Sequence, residues 1–172
     1  MLAKLAEQNK NSSWVLNESG ASLLFVARSS ALAYFVAQCL VKRFLDPSDK
    51  EKALSQLHTL VEPFEVGPRN CCLRDGQIAF VEVQQSEQRP YALFVVDEAH
   101  HVYRDPTKRS DVEKHVTHAM TQRLLLSDVS QSEVDDIQWP KCKGQLIQKV
   151  QLTEVVRCSQ RIARRGRCLS AG

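Results

Sequence analysis

With 172 residues the chain has room for one domain with a real core, and 43% hydrophobic content agrees with a soluble globular class. A net charge of +3 is too small to argue a nucleic-acid partner by itself, and no apolar run approaches the ~20 residues that a membrane span requires. The six cysteines (Cys39, Cys71, Cys72, Cys142, Cys158, Cys168) form no C-x-x-C pair and no zinc spacing, so they read as free or buried thiols of an intracellular, reducing compartment, whether cytoplasm or nucleus.

Taken in order, residues 1–9 read as a short helix with Leu2 and Leu5 on one side, too short in its apolar part for a secretory signal. Residues 10–13 are polar and read as a loop. Leu23, Leu24, Phe25 and Val26 form a compact apolar run, expected to be a strand. Ser29 or Ser30 caps a helix over residues 31–45, which Asp46-Pro47 ends. Ser48 and Glu51 then form a capping box for a second helix, with Ala53, Leu54, Leu57 and Leu60 on its inner face. Pro63, Gly67 and Pro68 interrupt the pattern that follows. Residues 78–83 read as a strand pairing across the Asp75-Gly76 turn with residues near Cys71 and Leu73.

The stretch around which the chain is organised is YALFVVDEAHHVY, from Tyr91 to Tyr103. Five apolar residues run without alternation, as in a strand buried on both faces of a parallel sheet. Asp97 and Glu98 follow at once, where open α/β sheets bind their ligands. A buried strand that merely closes in an acidic turn is the plainer alternative. Residues 104–109 read as a charged loop around Pro106. Ser110 and Glu113 form another capping box, opening a helix with Val112, Val116, Ala119 and Met120 on one face. His100, His101, His115 and His118 fit no metal-ligand pattern and read as solvated or packing histidines. Residues 124–126 form a further strand, leading into Ser127-Asp128-Val129-Ser130-Gln131, and a basic tail over 161–167 reads as a solvated end.

These residues carry a resemblance. The strand followed by Asp97-Glu98-Ala99-His100 (residues 92–100) looks like the Walker B box, motif II, of helicase-type P-loop NTPases. Leu124 to Gln131 resembles motif III of superfamily 1 helicases, with Ser127 in place of the usual glycine. Residues 152–162, Leu-Thr-Glu-Val-Val-Arg-Cys-Ser-Gln-Arg-Ile, resemble motif IV, with Val155-Val156 and Cys158 departing from its pattern. Residues 22–30 are similar to motif Ia, whose loop touches a nucleic-acid backbone, although any βα turn looks alike. The set in this order is most similar to Schlafen-type helicase domains.

The resemblance implies an α/β fold: a RecA-like P-loop NTPase domain over residues 1–172, a three-layer α/β/α sandwich with a mainly parallel sheet lacking its P-loop strand. It implies ATP and magnesium as cofactors of the parent family, and DNA or RNA and a second RecA-like domain as partners. Asp97 would hold Mg²⁺ through water, with Asp128 also on the nucleotide side. Glu98 would orient the attacking water, Gln131 would sense the γ-phosphate and Arg157 would reach it. Arg28, Ser29 and Ser30 would touch nucleic acid. No G-x-x-x-x-G-K-S/T loop occurs among the six glycines of the chain, so nucleotide turnover by these residues alone is not expected. The lineage reading is therefore a partial helicase domain, whether fragment, short isoform or gene-model error. The competing class is a non-catalytic interaction module that keeps the fold. An edge left by the missing strand would favour self-association.

Overall fold

The computed structural model describes residues 22–83, 91–116 and 122–127, all within the first of two compact units, Met1–Trp139 and Pro140–Gly172. The helix expected over residues 1–9, and Asp128, Gln131 and Arg157, lie outside the described residues.

Six strands form one mixed, mostly parallel sheet: β1 (Ser22–Ala27), β2 (Leu57–Val61), β3 (Arg69–Arg74), β4 (Gln77–Glu82), β5 (Tyr91–Val96) and β6 (Gln122–Leu125), in the order β4-β3-β2-β1-β5-β6. β2, β1, β5 and β6 run parallel, and the hairpin β3–β4 runs antiparallel at the β2 side. Its turn has positive φ at Asp75 (51°) and Gly76 (74°), the conformation an Asp-Gly hairpin requires. The chain leaves β1 towards β2 on one side and leaves β5 towards β6 on the other. Winding therefore reverses between β1 and β5, and such a reversal opens a crevice at the carboxyl ends of both strands.

Strand alternation assigns each side chain to one of two cores. Leu24, Val26, Phe94 and Val96 pack with Ala99, Val102, Tyr103 and Val112, which lie on helices α3 (Ala99–Arg104) and α4 (Pro106–Glu113). Phe25, Ala27 and Val95 pack with Ala33, Ala37 and Leu54 of α1 (Ser30–Val41) and α2 (Pro47–Ser55). The two central strands are thus apolar on both faces, which explains their lack of alternation. Tyr91 reaches His58 of β2 across β1, with its hydroxyl 3.0 Å from the His58 Nδ1 and the rings edge to face. Cys39, Cys71 and Cys72 are free thiols, and burial pushes Cys71 up to about 12. Among the described residues, no helix is long and apolar enough to cross a membrane.

Several expectations are corrected. The second helix does not continue through Leu57 and Leu60, because Leu57–Val61 is β2, paired along its length with β1. Leucines three apart suit either state, and the sheet's tertiary pairing decides. Neither serine capping box forms. Asp46 caps α2 by accepting from the Ser48 N–H at 2.7 Å, and Asp105 caps α4 by accepting from Thr107 at 2.9 Å and Lys108 at 3.3 Å. In both cases proline occupies the first turn, where no backbone donor is needed. Helix bounds differ as well: α1 ends at Val41 with Leu45 exposed, residues 106–109 are helical, and Val116 falls beyond α4, while Ala119 and Met120 lie outside the described residues.

Candidate functional site

The acid pair sits where β5 ends. The Asp97 N–H donates to the Val26 carbonyl at 3.1 Å, extending the β1–β5 ladder by one residue and holding Asp97 at the crevice. Its carboxylate is half-buried, and among the described residues nothing hydrogen-bonds or ion-pairs it. Glu98 follows in the left-handed region (φ 50°, ψ 44°), a conformation costing a non-glycine residue on the order of 1 kcal/mol or more and concentrated at functional sites. The surroundings hold it there. The Glu98 carbonyl accepts from the His101 N–H at 2.8 Å, the Ala99 N–H donates to Leu126 at 2.8 Å, and the Leu126 N–H donates to Val96 at 2.9 Å. The end of β6 is thereby tied to the acidic turn by its backbone.

Side chains repeat that tie. His100 is buried and its Nε2 lies 3.2 Å from a Glu98 carboxylate oxygen, while its Nδ1 lies 3.1 Å from the Ser127 hydroxyl. A carboxylate only accepts, so Nε2 donates to Glu98, and with a neutral ring Nδ1 accepts the Ser127 hydroxyl hydrogen. Glu98, His100 and Ser127 form one hydrogen-bonded chain.

The other expected residues divide. Arg28 is exposed beside the same crevice, with its Nε 4.0 Å from Glu62. Ser29 caps α1, its hydroxyl oxygen accepting from the Leu32 N–H at 3.3 Å, so it is committed to the helix. Ser30 is exposed as the first residue of α1. The structure therefore brings Arg28 and Ser29 to the same edge as Asp97 and Glu98.

Sequence reasoning missed Glu62, His101 and Lys108, which converge on this edge as well. The Lys108 ammonium lies 2.7 Å from both a Glu62 carboxylate oxygen and the His101 Nε2, and His101 Nε2 lies 3.2 Å from that oxygen. Lys108's hydrogen bond, against the opposing pull of burial, holds the Glu62 carboxyl below the usual carboxylate range. Glu62 follows a strand that the sequence pattern hid, so no local signal could mark it.

For magnesium and a nucleotide, the residues present fit one half of the requirement. A half-buried, unpartnered carboxylate beside a second carboxylate offers the hard oxygen donors that a hydrated Mg²⁺ takes. Among the described residues, no three His, Cys, Asp or Glu side chains cluster as a protein-only metal site, and no glycine loop follows a strand to cradle phosphates. No family model, curated protein or solved structure matches the chain.

Proposed function

We propose that the chain carries the catalytic-acid half of a helicase-type nucleotidase of superfamily 1, with a RecA-like three-layer α/β/α arrangement and a likeness to Schlafen-type helicase domains. The observation that supports it is the position of Asp97 and Glu98 at the carboxyl end of a doubly buried parallel strand. There the winding reverses, and β6, the strand of the motif III resemblance, is hydrogen-bonded to the acidic turn. In this reading Asp97 would hold a hydrated Mg²⁺, and Glu98, kept in place by His100, would orient a water at the crevice. Magnesium, when bound, supplies charge neutralisation on the nucleotide phosphates. Gln131 and Arg157 take the sensor and cation roles by resemblance, and DNA or RNA is the coupled polymer. Positioning and charge, rather than covalent chemistry, are what these residues contribute.

The 172-residue sequence contains no G-x-x-x-x-G-K-S/T motif of the kind that holds the β-phosphate. Losing such charge-assisted contacts, at ~1.5–3 kcal/mol each, weakens nucleotide binding by several orders of magnitude. The chain by itself is therefore expected to show no nucleic-acid-stimulated ATP hydrolysis above a Glu98→Gln control. Joined to a strand, G-x-x-x-x-G-K-S/T loop and helix placed beside β6, it is expected to gain turnover that Glu98→Gln and Asp97→Asn abolish. Absence of turnover in a correctly folded fusion would replace this reading with a non-catalytic interaction module.

A further inference from the structure

Four side chains from four segments meet beside the crevice: Arg28 after β1, Glu62 after β2, His101 on α3 and Lys108 on α4. Two formal cations and an imidazole converge on one carboxylate. Among the described residues, no second carboxylate pairs with any of the three. Within this group of four, two formal cations face one carboxylate, while Asp97 and Glu98 lie further along the same edge, where open α/β folds bind ligands.

The geometry resembles a filled anion site more than a structural ion pair. Lys108 spans Glu62 and His101 at 2.7 Å each, and Arg28 closes the far side at 4.0 Å. The His101 Nε2 cannot both accept from Lys108 and donate to Glu62 with one proton, so one of its two close contacts is unsatisfied at any instant. An oxyanion with three acceptor oxygens in place of the two carboxylate oxygens would engage the three basic groups separately. The site is also open to solvent: the Arg28, His101 and Lys108 side chains are 62%, 33% and 26% exposed.

We propose that Arg28, His101 and Lys108 form a phosphate-binding site whose resident occupant is the Glu62 carboxylate, which a phosphate group of the ligand displaces. Glu62 acts as an internal competitor that sets the affinity of the site. The same chemistry serves a free polyphosphate or the backbone of a single-stranded nucleic acid. The polymer source rests on the same reading that names DNA or RNA as the partner, but neither source requires nucleotide turnover, so binding without magnesium is read separately from catalysis.

The test uses the full chain without magnesium, with tripolyphosphate and a labelled single-stranded oligodeoxynucleotide as probes. Glu62→Gln removes the competing charge and is expected to bind about tenfold tighter than the unmodified chain. Adding Lys108→Gln or Arg28→Gln to Glu62→Gln is expected to reverse the gain. Tightening for tripolyphosphate alone identifies a free phosphate ligand, whereas tightening for the oligonucleotide identifies a polymer backbone. No tightening of either probe, in a variant whose circular dichroism and melting profile remain native-like, overturns the proposal. If Glu62→Gln does not fold, the unmodified chain is titrated with both probes while the His101 ring resonances are followed. Shifts that Arg28→Gln suppresses support the site, and unshifted resonances overturn it.

Discussion

The Nδ1 of His100 lies 3.1 Å from the hydroxyl of Ser127, so a residue one turn past the acid pair is joined directly to the end of the neighbouring strand β6. Because the opposite nitrogen of His100 holds Glu98, the position of that carboxylate depends on where β6 ends. Replacing the serine leaves a buried ring nitrogen without its partner. Ser127→Ala is expected to lower stability by about 1 kcal/mol, read as a shifted denaturant midpoint with an unchanged slope. Its ring nitrogen resonances should also move. If neither changes, His100 is not held by Ser127.

Acid should weaken the fold before the carboxylates titrate. Burial lowers His58 from 6.5 to about 4, and burial likewise lowers His115. The unfolded chain then takes up protons near pH 6.5 that the folded chain refuses, so stability falls as pH drops from about 6.5 towards 4. For His58 the full loss is roughly 3 kcal/mol. Glu62, whose carboxyl is lowered, adds to the loss only below its ordinary value of 4.5. Thermal melts between pH 7 and 4.5 should therefore decline, and His58→Leu should flatten most of that decline. An equally steep profile in the variant would contradict the burial argument.

Gly76 stands at φ 74° with nothing within 4 Å of where a Cβ would be. The cost of Gly76→Ala is therefore conformational and not steric, about 1 kcal/mol. Gly67→Ala, with open space and no positive φ, is the control and should be close to neutral. Equal losses at both positions would remove the case for a special turn at Asp75-Gly76.

The start of α4 can be tested against the alternative written in the sequence. Asp105→Ala removes a carboxylate that accepts from two backbone donors and is expected to lower stability by about 1 kcal/mol. Ser110→Ala, an interior exposed position, should stay within roughly 0.5 kcal/mol. The reverse order, read by chemical denaturation, would restore the serine capping box.

Among the described residues, no strand pairs with the outer edge of β6. An unpaired edge carrying Leu124 and Leu125 is a template for association. Light scattering of the purified chain is expected to give a mass that rises with concentration. A single monomer mass across the concentration range would mean that this edge is protected.

The sequence by itself determined the two central strands, the Asp-Gly hairpin and the placement of Asp97 and Glu98 at a strand end. Each rests on a local rule: an unbroken apolar run, a turn that needs positive φ, and carboxylates immediately after the run. It misread β2, because Leu57 and Leu60 satisfy a helical spacing and only pairing with β1 makes them a strand. It misread both Asp-Pro pairs as ends or loops, although the aspartate and proline together start a helix. Tertiary structure alone decided which polar groups meet. Glu62 lies 39 and 46 residues from His101 and Lys108, and they converge because β2 ends at the edge of the sheet where α3 and α4 begin. His58 and Tyr91 meet because β2 and β5 both flank β1. Contacts of that kind follow from strand order, which no local periodicity encodes.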